Sequence, residues 1–186
     1  MNAIELLTSR SSCSKLELPL PNSEQLDIIY RSALRAPDHA GLRPWKFLVY
    51  QSPEALKKLG EQFVAAIEAE EGPLDSAKKD KLLAMPNRAP MVIVAIAEYQ
   101  SHDKVPKIEQ AISCGCAVHG MLLAAQSLGF AGYWRTGPLA FNANLKTQLG
   151  VKPDDEIVGF LYLGSPKISV NKPDQVEVSD FFTVID

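Results

Sequence analysis

The alternation of apolar and polar residues along the chain predicts both helices and strands. Apolar residues recur every three or four positions in the expected helices, whereas β-branched and aromatic residues run together in the expected strands. Helices are expected around Ile4–Leu7 (ending near Thr8–Arg10) and in PLPNSEQLDIIYRSALRAP, EALKKLGEQFVAAIEAEE, GPLDSAKKDKLLAMPNRAP, VPKIEQAISCGCAVHGMLLAAQSLGF and FNANLKTQLG. Strands are expected in WKFLVYQ, MVIVAIAEY, AGYWRTG and DEIVGFLYLGSPK. This order lacks regular βαβ alternation, so we expect an α+β fold in a single domain spanning residues 1–186.

Several residues mark where these helices begin and end. Asn22 or Ser23 suits the N-cap of the second helix, and Ser52–Pro53 suits the start of the third. Gly129 is expected to end the long apolar helix and Gly150 the last one, since glycine readily adopts the left-handed conformation after a helix.

The long helix is the most apolar part of the chain. Polar residues interrupt the stretch from Ala111 to Leu128, so we interpret it as a buried helix of a soluble protein and not as a membrane span. It also carries small residues, including Gly115 and Gly120, that allow another backbone to approach closely. Dense packing within one chain and a helix at a dimer interface both remain open.

Composition narrows the classes of function and of location. A net charge of −3 and a pI near 5.7 argue against nucleic acid or an anionic membrane surface as a partner. Cys13, Cys114 and Cys116 are an odd number of cysteines in a chain of this length, which favours reduced thiols in the cytoplasm. The C-x-C pair would point its thiols to different sides of a helix, which is poor geometry for a metal. The N-terminus has no long apolar region, so no signal peptide is expected.

One arginine stands alone in this apolar half of the sequence. Arg135 is the only permanently charged residue between Gln110 and Leu145. If its guanidinium is buried it needs an anion, because arginine does not lose its proton in a protein. A distant carboxylate and simple exposure remain open alternatives to a bound phosphate or carboxylate.

Two further stretches are candidates for an anion site. Arg10 lies among five hydroxyl residues in TSRSSCS, and backbone N–H groups, hydroxyls and a guanidinium together suit a phosphate. The loop RAPDHAGLRPWKF places Arg35 and His39 between a helix and a strand, where binding sites are commonly built. A solvated turn and an exposed loop histidine are the ordinary alternatives.

Together these stretches resemble the FMN-dependent nitroreductase family, and most closely its short branch of NAD(P)H nitroreductases. The resemblance covers nearly the whole chain. It rests on an R-x-S after the first helix, an AP…PW loop after the second, and LGF-x-G-x-W-R-T-G after the long helix. The segment IVGFLYLG-x-P then precedes a C-terminal tail.

The resemblance implies a nitroreductase-like fold and a homodimer with FMN at the subunit interface. The implied fold has a mostly antiparallel central sheet flanked by helices, and its C-terminal strand is exchanged with the dimer partner. The implied cofactor-binding residues are Arg10, Ser11, Ser12, Arg35 and His39 (these two from the partner), Ala124 (as an NAD(P) contact), Trp134, Arg135 and Thr136. Three positions depart from the family pattern, namely Ser11, Gly41 and Arg43.

The implied activity is transfer of a hydride from NAD(P)H through the flavin to a nitroaromatic, a quinone or a related small-molecule acceptor. No side chain is expected as an obligatory acid or base and no metal is expected, because the flavin itself accepts and donates the hydride. The alternatives are a flavin carrier or sensor with little turnover, and divergent reactions such as reductive dehalogenation or flavin breakdown.

Overall fold

Helices and strands are interspersed along the chain in a computed structural model that describes residues 2–169, 173 and 175–185. The α-helices are α1 (Ala3–Ser9), α2 (Ser23–Ala33), α3 (Pro53–Glu71), α4 (Ser76–Ala84), α5 (Lys107–Ser127), α6 (Pro138–Phe141) and α7 (Ala143–Gln148). The strands are β1 (Leu16–Glu17), β2 (Trp45–Tyr50), β3 (Met91–Ala97), β4 (Ala131–Arg135) and β5 (Glu156–Pro166). Short 3₁₀ turns span His39–Gly41, Pro86–Arg88 and Val178–Asp180.

The five strands form one antiparallel sheet. Its order is β1-β5-β3-β2, and β4 also pairs with β5. Strand β2 pairs only with β3 in the described part of the chain, so its other edge carries unpaired backbone groups. The expected α+β fold with a mostly antiparallel sheet is confirmed.

The sheet is covered by helices on both faces. All seven residues of β3 are buried, which explains why its sequence lacks the alternation of a half-exposed strand. One face of the sheet packs on α3, where Phe63 and Phe160 meet edge to face at 5.5 Å. The other face packs on α5 and α2, through residues such as Met121 and Ile29.

Most helix ends lie where the sequence predicts them. Asn22 caps α2 and Ser52 caps α3, each accepting a hydrogen bond from the third helical N–H group. Gly129 and Gly150 follow α5 and α7 with φ angles of +86° and +68°. Strand β1 and helix α6 were not predicted, because they have two and four residues and show no periodicity.

The long helix α5 packs against the sheet with one side. By length and composition alone it could cross a membrane, but half of its most apolar stretch is buried inside the protein. Cys114 faces the core and Cys116 faces outward, as the C-x-C spacing predicts. Burial raises the pKa of the Cys114 thiol to about 12, so this thiol is not a nucleophile at neutral pH.

The C-terminal tail carries exposed apolar side chains. Phe181, Phe182, Val184 and Ile185 are between 71% and 87% exposed, which is unusual for large apolar groups. The described tail residues form no strand with the sheet of their own chain. The expected exchange of this strand with a dimer partner stays a prediction.

We expect Gly159→Ala to destabilise the protein by about 3 kcal/mol or more, through backbone strain and a steric clash. Gly159 has a φ angle of +151°, and a Cβ atom there would lie 2.7 Å from the Arg135 carbonyl oxygen and would overlap the Trp134 indole. Gly129→Ala is the matched control, since its φ is also positive but no atom lies within 4 Å. Gly129→Ala should lower the free energy of unfolding by about 1–2 kcal/mol. Urea unfolding measures both, and equal losses would contradict the clash.

Candidate functional site

The segment after α1 is tied to the beginning of β4. Helix α1 ends at Ser9, and Arg10 leaves the helical conformation with φ −55° and ψ 126°. The Arg10 guanidinium lies 3.5 Å from the Ser12 hydroxyl, and the two residues flank a half-buried Ser11. The Cys13 N–H then donates a 3.0 Å hydrogen bond to the Gly132 carbonyl. The predicted phosphate segment, residues 10 to 12, therefore directly precedes a point of contact with β4.

The end of β4 presents its predicted site residues to opposite faces of the sheet, because successive residues of a strand alternate. Trp134 faces α5, and its indole N–H donates a 3.3 Å hydrogen bond to the Val158 carbonyl. Gly159 leaves the space that this indole occupies. Arg135 faces the other way, with its guanidinium 5.2 Å from the centre of the Tyr133 ring.

Arg135 has no acidic partner in the described part of the chain, where no carboxylate oxygen lies within 4.0 Å of it. Its side chain is half-buried over an aromatic ring. Burial raises the pKa of the nearby Tyr162 hydroxyl, and the positive charges of Arg135 and Arg88 partly oppose that rise. The end of β4 therefore carries a cation on the α3 face of the sheet that has no carboxylate beside it among the described residues.

The loop between α2 and β2 surrounds a separate cavity. Its volume is about 490 Å³, and it is lined by Leu34, Arg35, Ala36, Asp38, Gly41, Arg43 and Trp45. Ala40, Gly41 and Arg43 all have positive φ angles, of 62°, 67° and 50°. Positive φ is uncommon in residues other than glycine, so this loop holds an unusual backbone path.

Three hydrogen bonds fix that loop. The Asp38 carboxylate accepts a 2.8 Å bond from the Arg43 N–H. His39 Nδ1 lies 2.7 Å from the Glu109 carboxylate at the start of α5. The Ser113 hydroxyl donates a 2.6 Å bond to the Pro37 carbonyl. The loop is therefore held rigidly against α5, and Arg35 and His39 project from it as exposed side chains.

Within one chain the two groups of predicted site residues do not meet. Ser113 contacts the loop and Gly115 faces the Trp134 ring, and these positions point about 160° apart around α5. Across the sheet, Trp45 aligns with Glu156 through β3, whereas Arg135 aligns with Phe160. Trp45 and Arg135 are therefore separated by three strand spacings across the sheet and by four residues along it, which places them roughly 20 Å apart.

Ala124 lies near the end of α5, on the same flank of the helix as Ser113 and opposite the flank of Gly115. It is half-buried and packs against the core on the α5 face of the sheet. Its carbonyl accepts a 2.8 Å hydrogen bond from the Ser127 hydroxyl and a backbone bond from Leu128. The described structure therefore offers only an apolar contact at this position.

The structure also contains a cleft that the sequence did not predict. Thr136, the last predicted site residue, lines a cleft of about 300 Å³ between α3, α4 and the turn into α6. Its other lining residues are Ile67, Glu71, Lys78, Lys81, Leu82, Met85, Pro138 and Leu139. The sequence of α4 predicts a helix, but it carries no signal that this helix packs beside the end of β4. In residues 2–169, 173 and 175–185, no group of three His, Cys, Asp or Glu side chains is placed to hold a metal ion.

The chain matches proteins of one family along most of its length. The model of the nitroreductase family matches residues 7–165. The predicted NAD(P)H nitroreductase YdjA of Escherichia coli K12 is 39% identical over 188 residues, which cover 98% of this chain and all of the relative. A predicted NAD(P)H nitroreductase of Haemophilus influenzae is 37% identical, with both chains covered completely.

Solved structures share the fold at lower identity. A nitroreductase-like protein from Bacillus cereus has a TM-score of 0.82 at 19% identity, covering 100% of this chain and 97% of the other. A nitroreductase with bound FMN from Bacteroides fragilis has a TM-score of 0.71 at 20% identity, with full coverage of both chains.

We expect Ser113→Ala to loosen the loop between α2 and β2. The substitution removes the bond to the Pro37 carbonyl, which should lower the free energy of unfolding by about 1 kcal/mol. Ser127→Ala is the matched control, because that exposed hydroxyl bonds only within its own helix and should matter by less than about 0.5 kcal/mol. Amide hydrogen exchange should quicken in residues 35–45 of the first variant alone. Unchanged exchange there would show that the bond does not hold the loop.

Proposed function

Because the chain belongs to the nitroreductase family, we propose that it is an FMN-dependent NAD(P)H oxidoreductase that reduces a nitroaromatic, a quinone or a related small-molecule acceptor. The observation that carries the proposal is Arg135, a half-buried guanidinium with no carboxylate beside it among the described residues. A bound phosphate would supply the missing negative charge. The chain works as a single cytoplasmic domain whose three cysteines are free.

The overall reaction needs no protein nucleophile. One nitroarene, one NAD(P)H and one proton yield one nitrosoarene, one NAD(P)⁺ and one water. Bound FMN supplies the hydride transfer chemistry, and the protein binds, orients and electrostatically tunes it. This division of labour agrees with a site made of cations, hydroxyls and aromatic groups.

The phosphate is assigned to Arg10, Ser11, Ser12 and Arg135. The Arg10 guanidinium and the Ser12 hydroxyl lie 3.5 Å apart. The hydrogen bond from the Cys13 N–H to β4 brings their segment toward the strand that carries Arg135. Hydroxyls, backbone N–H groups and guanidinium groups are the usual ligands of phosphate. Where the family often has a second basic residue this chain has Ser11, so Arg135 carries more of the charge balance.

The isoalloxazine ring is assigned to the region around Trp134 and Thr136. The indole is locked by its bond to the Val158 carbonyl and by the space over Gly159, so the strand end is rigid. Ala124 offers the NAD(P) nucleotide an apolar contact on α5. Rigid elements are needed because hydride transfer requires a reactive geometry held in advance.

The remaining contacts come from a second copy of the chain. Helix α5 leaves Ile108 and Ile112 exposed at 65% and 59%, next to an exposed Cys116 and His119. This apolar face lies between the flank that carries the loop and the flank that faces Trp134. A two-fold dimer through this face brings the partner's loop to the Trp134 flank, so that Arg35 and His39 complete the other subunit's flavin site.

The tail is assigned to the partner's β2 edge. That edge carries unpaired backbone groups in the described chain, and an apolar cavity of about 390 Å³ lies beside it. The cavity includes Tyr30, Leu34, Phe47 and Val49 among its walls. The exposed Phe181 and Phe182 side chains match it in chemistry, because both surfaces gain stability when they leave water.

Two departures from the family alter the partner's contribution. Gly41 supplies no side chain, and Arg43 projects a cation into the cavity that also contains Arg35. The pyrimidine end of the flavin therefore meets a more positive surface here. A positive charge near that end stabilises the reduced, anionic flavin.

Colour and bleaching test the activity directly. The purified protein should be yellow, and NAD(P)H should bleach it in the absence of oxygen. A yellow protein that NAD(P)H does not bleach would favour a carrier or sensor. Bleaching by NAD(P)H without reoxidation by nitroarenes or quinones would favour a divergent reaction such as dehalogenation. A colourless protein that fails to bind added FMN would rule out all three.

We expect Arg135→Ala to weaken FMN binding about tenfold to a hundredfold. A charge-assisted hydrogen bond contributes about 1.5–3 kcal/mol, and the phosphate loses it in this variant. Riboflavin lacks the phosphate and should be affected much less. Arg31→Ala is the control, since Arg31 is exposed on α2 and pairs with Asp27 at 2.5 Å. Fluorescence titration with both flavins measures the effect, and equal losses for FMN and riboflavin would refute the assignment.

We expect deletion of residues 178–186 to give a monomeric or aggregated protein that retains no FMN, because folding, association and cofactor binding are coupled. Light scattering with flavin absorbance on the same peak measures both properties. A yellow truncated protein with the oligomeric state of the full chain would show that the tail does not exchange.

Cys116 reports on the same interface. Its thiol is exposed in the single chain, and the proposed dimer interface would cover it. In the dimer it should therefore react slowly with a water-soluble thiol reagent, and in the truncated protein it should react fast. Cys114 and Cys13 are buried and should stay unreactive in both until the protein unfolds. Fast labelling of the intact dimer at Cys116 would place the interface elsewhere.

A further inference from the structure

The cleft between α3, α4 and the start of α6 has the shape and chemistry of a small-molecule site. Its volume of about 300 Å³ lies at the lower end of the range for such sites, which suits a single substituted ring. Five of its lining residues are apolar, namely Ile67, Leu82, Met85, Pro138 and Leu139. Thr136 gives it a hydroxyl at the end of β4, next to Arg135. An apolar wall with a few polar groups favours an aromatic ring over a phosphate.

The lysines of α4 differ in how their charges are balanced. Lys78 forms an ion pair with Glu71, and Lys79 forms one with Glu68 at 2.8 Å. Lys81 has no carboxylate oxygen within 4.0 Å in the described part of the chain, although it lines the cleft.

The charged groups lining the cleft are therefore Lys78, Lys81 and Glu71, which leave one net positive charge. An apolar cleft with one unbalanced cation selects a ligand that has an apolar body and a single negative charge. Lysine suits this role, because its ammonium group acts as a point charge on a flexible stem.

We propose that this cleft binds the electron acceptor, and that the preferred acceptor is a single-ring aromatic compound with an anionic substituent such as a carboxylate. This inference rests on the proposed function, since Thr136 belongs to the segment assigned to the flavin. The ring packs on Leu82, Met85 and Leu139, and Lys81 pairs with the carboxylate. The acceptor thereby lies beside the end of β4, where the reducing cofactor is assigned.

The test compares 4-nitrobenzoate with its neutral analogue 4-nitrobenzamide, using the FMN-loaded dimer. The wild-type protein should have the higher kcat/KM for nitrobenzoate. In Lys81→Gln the ratio of the two kcat/KM values should fall about 3- to 10-fold, mainly through KM, because a partly exposed ion pair is lost. In Lys81→Glu the ratio should fall further, since the carboxylate would then be repelled.

Lys79→Gln is the matched control. It removes the same charge from the same helix, but Lys79 pairs with Glu68 and does not line the cleft, so the ratio should stay at the wild-type value. If the ratio of the two kcat/KM values falls equally in Lys79→Gln and Lys81→Gln, long-range electrostatics would explain the effect. That result would overturn the proposal. A ratio that does not change in Lys81→Gln would overturn it as well.

Calorimetry with benzoate and benzamide separates this inference from the proposed function. Benzoate should bind the wild-type protein more tightly than benzamide, and Lys81→Gln should remove the difference. If the protein reduces no nitroarene but still shows this selectivity, the proposed function fails and the cleft assignment stands. If it reduces both nitroarenes and benzoate binding does not depend on Lys81, the proposed function stands and the cleft assignment fails.

Discussion

Burial of both faces of the central strands constrains the rest of the structure. Strand β3 has no exposed residue, and the middle of β5 is buried in the same way. A sheet of this kind needs helices on both sides, because each face must leave water. Helices α3 and α5 provide that cover, and they contribute Phe63 and Met121 as fully buried side chains.

The sides of helix α5 differ because three of them pack against different neighbours. One side packs on the sheet, one flank holds α2 and the loop through Ser113, and the opposite flank faces Trp134 through Gly115. The remaining side is apolar and exposed at Ile108 and Ile112. Small residues are placed where backbones approach most closely, since a Cβ atom at Gly120 would lie 3.0 Å from the Ser32 carbonyl oxygen. Within one chain this helix therefore separates the two groups of candidate residues, and across an apolar two-fold interface it would join them.

The balance of charges distinguishes supporting residues from candidate binding residues. Surface cations such as Arg31 and Lys79 lie next to carboxylates and add little to stability. Arg135 and Lys81 lack such partners among the described residues, and both lie near the end of β4. A cation without a nearby acid costs little stability when it reaches solvent, but these two lie beside the same strand end. Two cations without neighbouring carboxylates are therefore available there to an anionic cofactor or substrate.

The sequence by itself determined the α+β class, nearly every long helix and strand, and several helix ends. These features are local, because a helix cap such as Asn22 or a stop such as Gly129 acts within a few residues. The short elements β1 and α6 could not be predicted from the sequence, since a few residues carry no periodicity. The order of the motifs also indicated the nitroreductase family, to which the family model and the relatives of the chain assign it.

Only the tertiary structure decided which candidate residues lie near one another. Trp134 and Arg135 are adjacent in sequence but face opposite sides of the sheet, because strand residues alternate. The place of α4 beside Thr136 depends on packing between segments more than fifty residues apart, and periodicity within a helix carries no such information. Contacts of this kind arise from how whole faces are buried, and therefore they became visible only when the sheet and its two covering helices were in place.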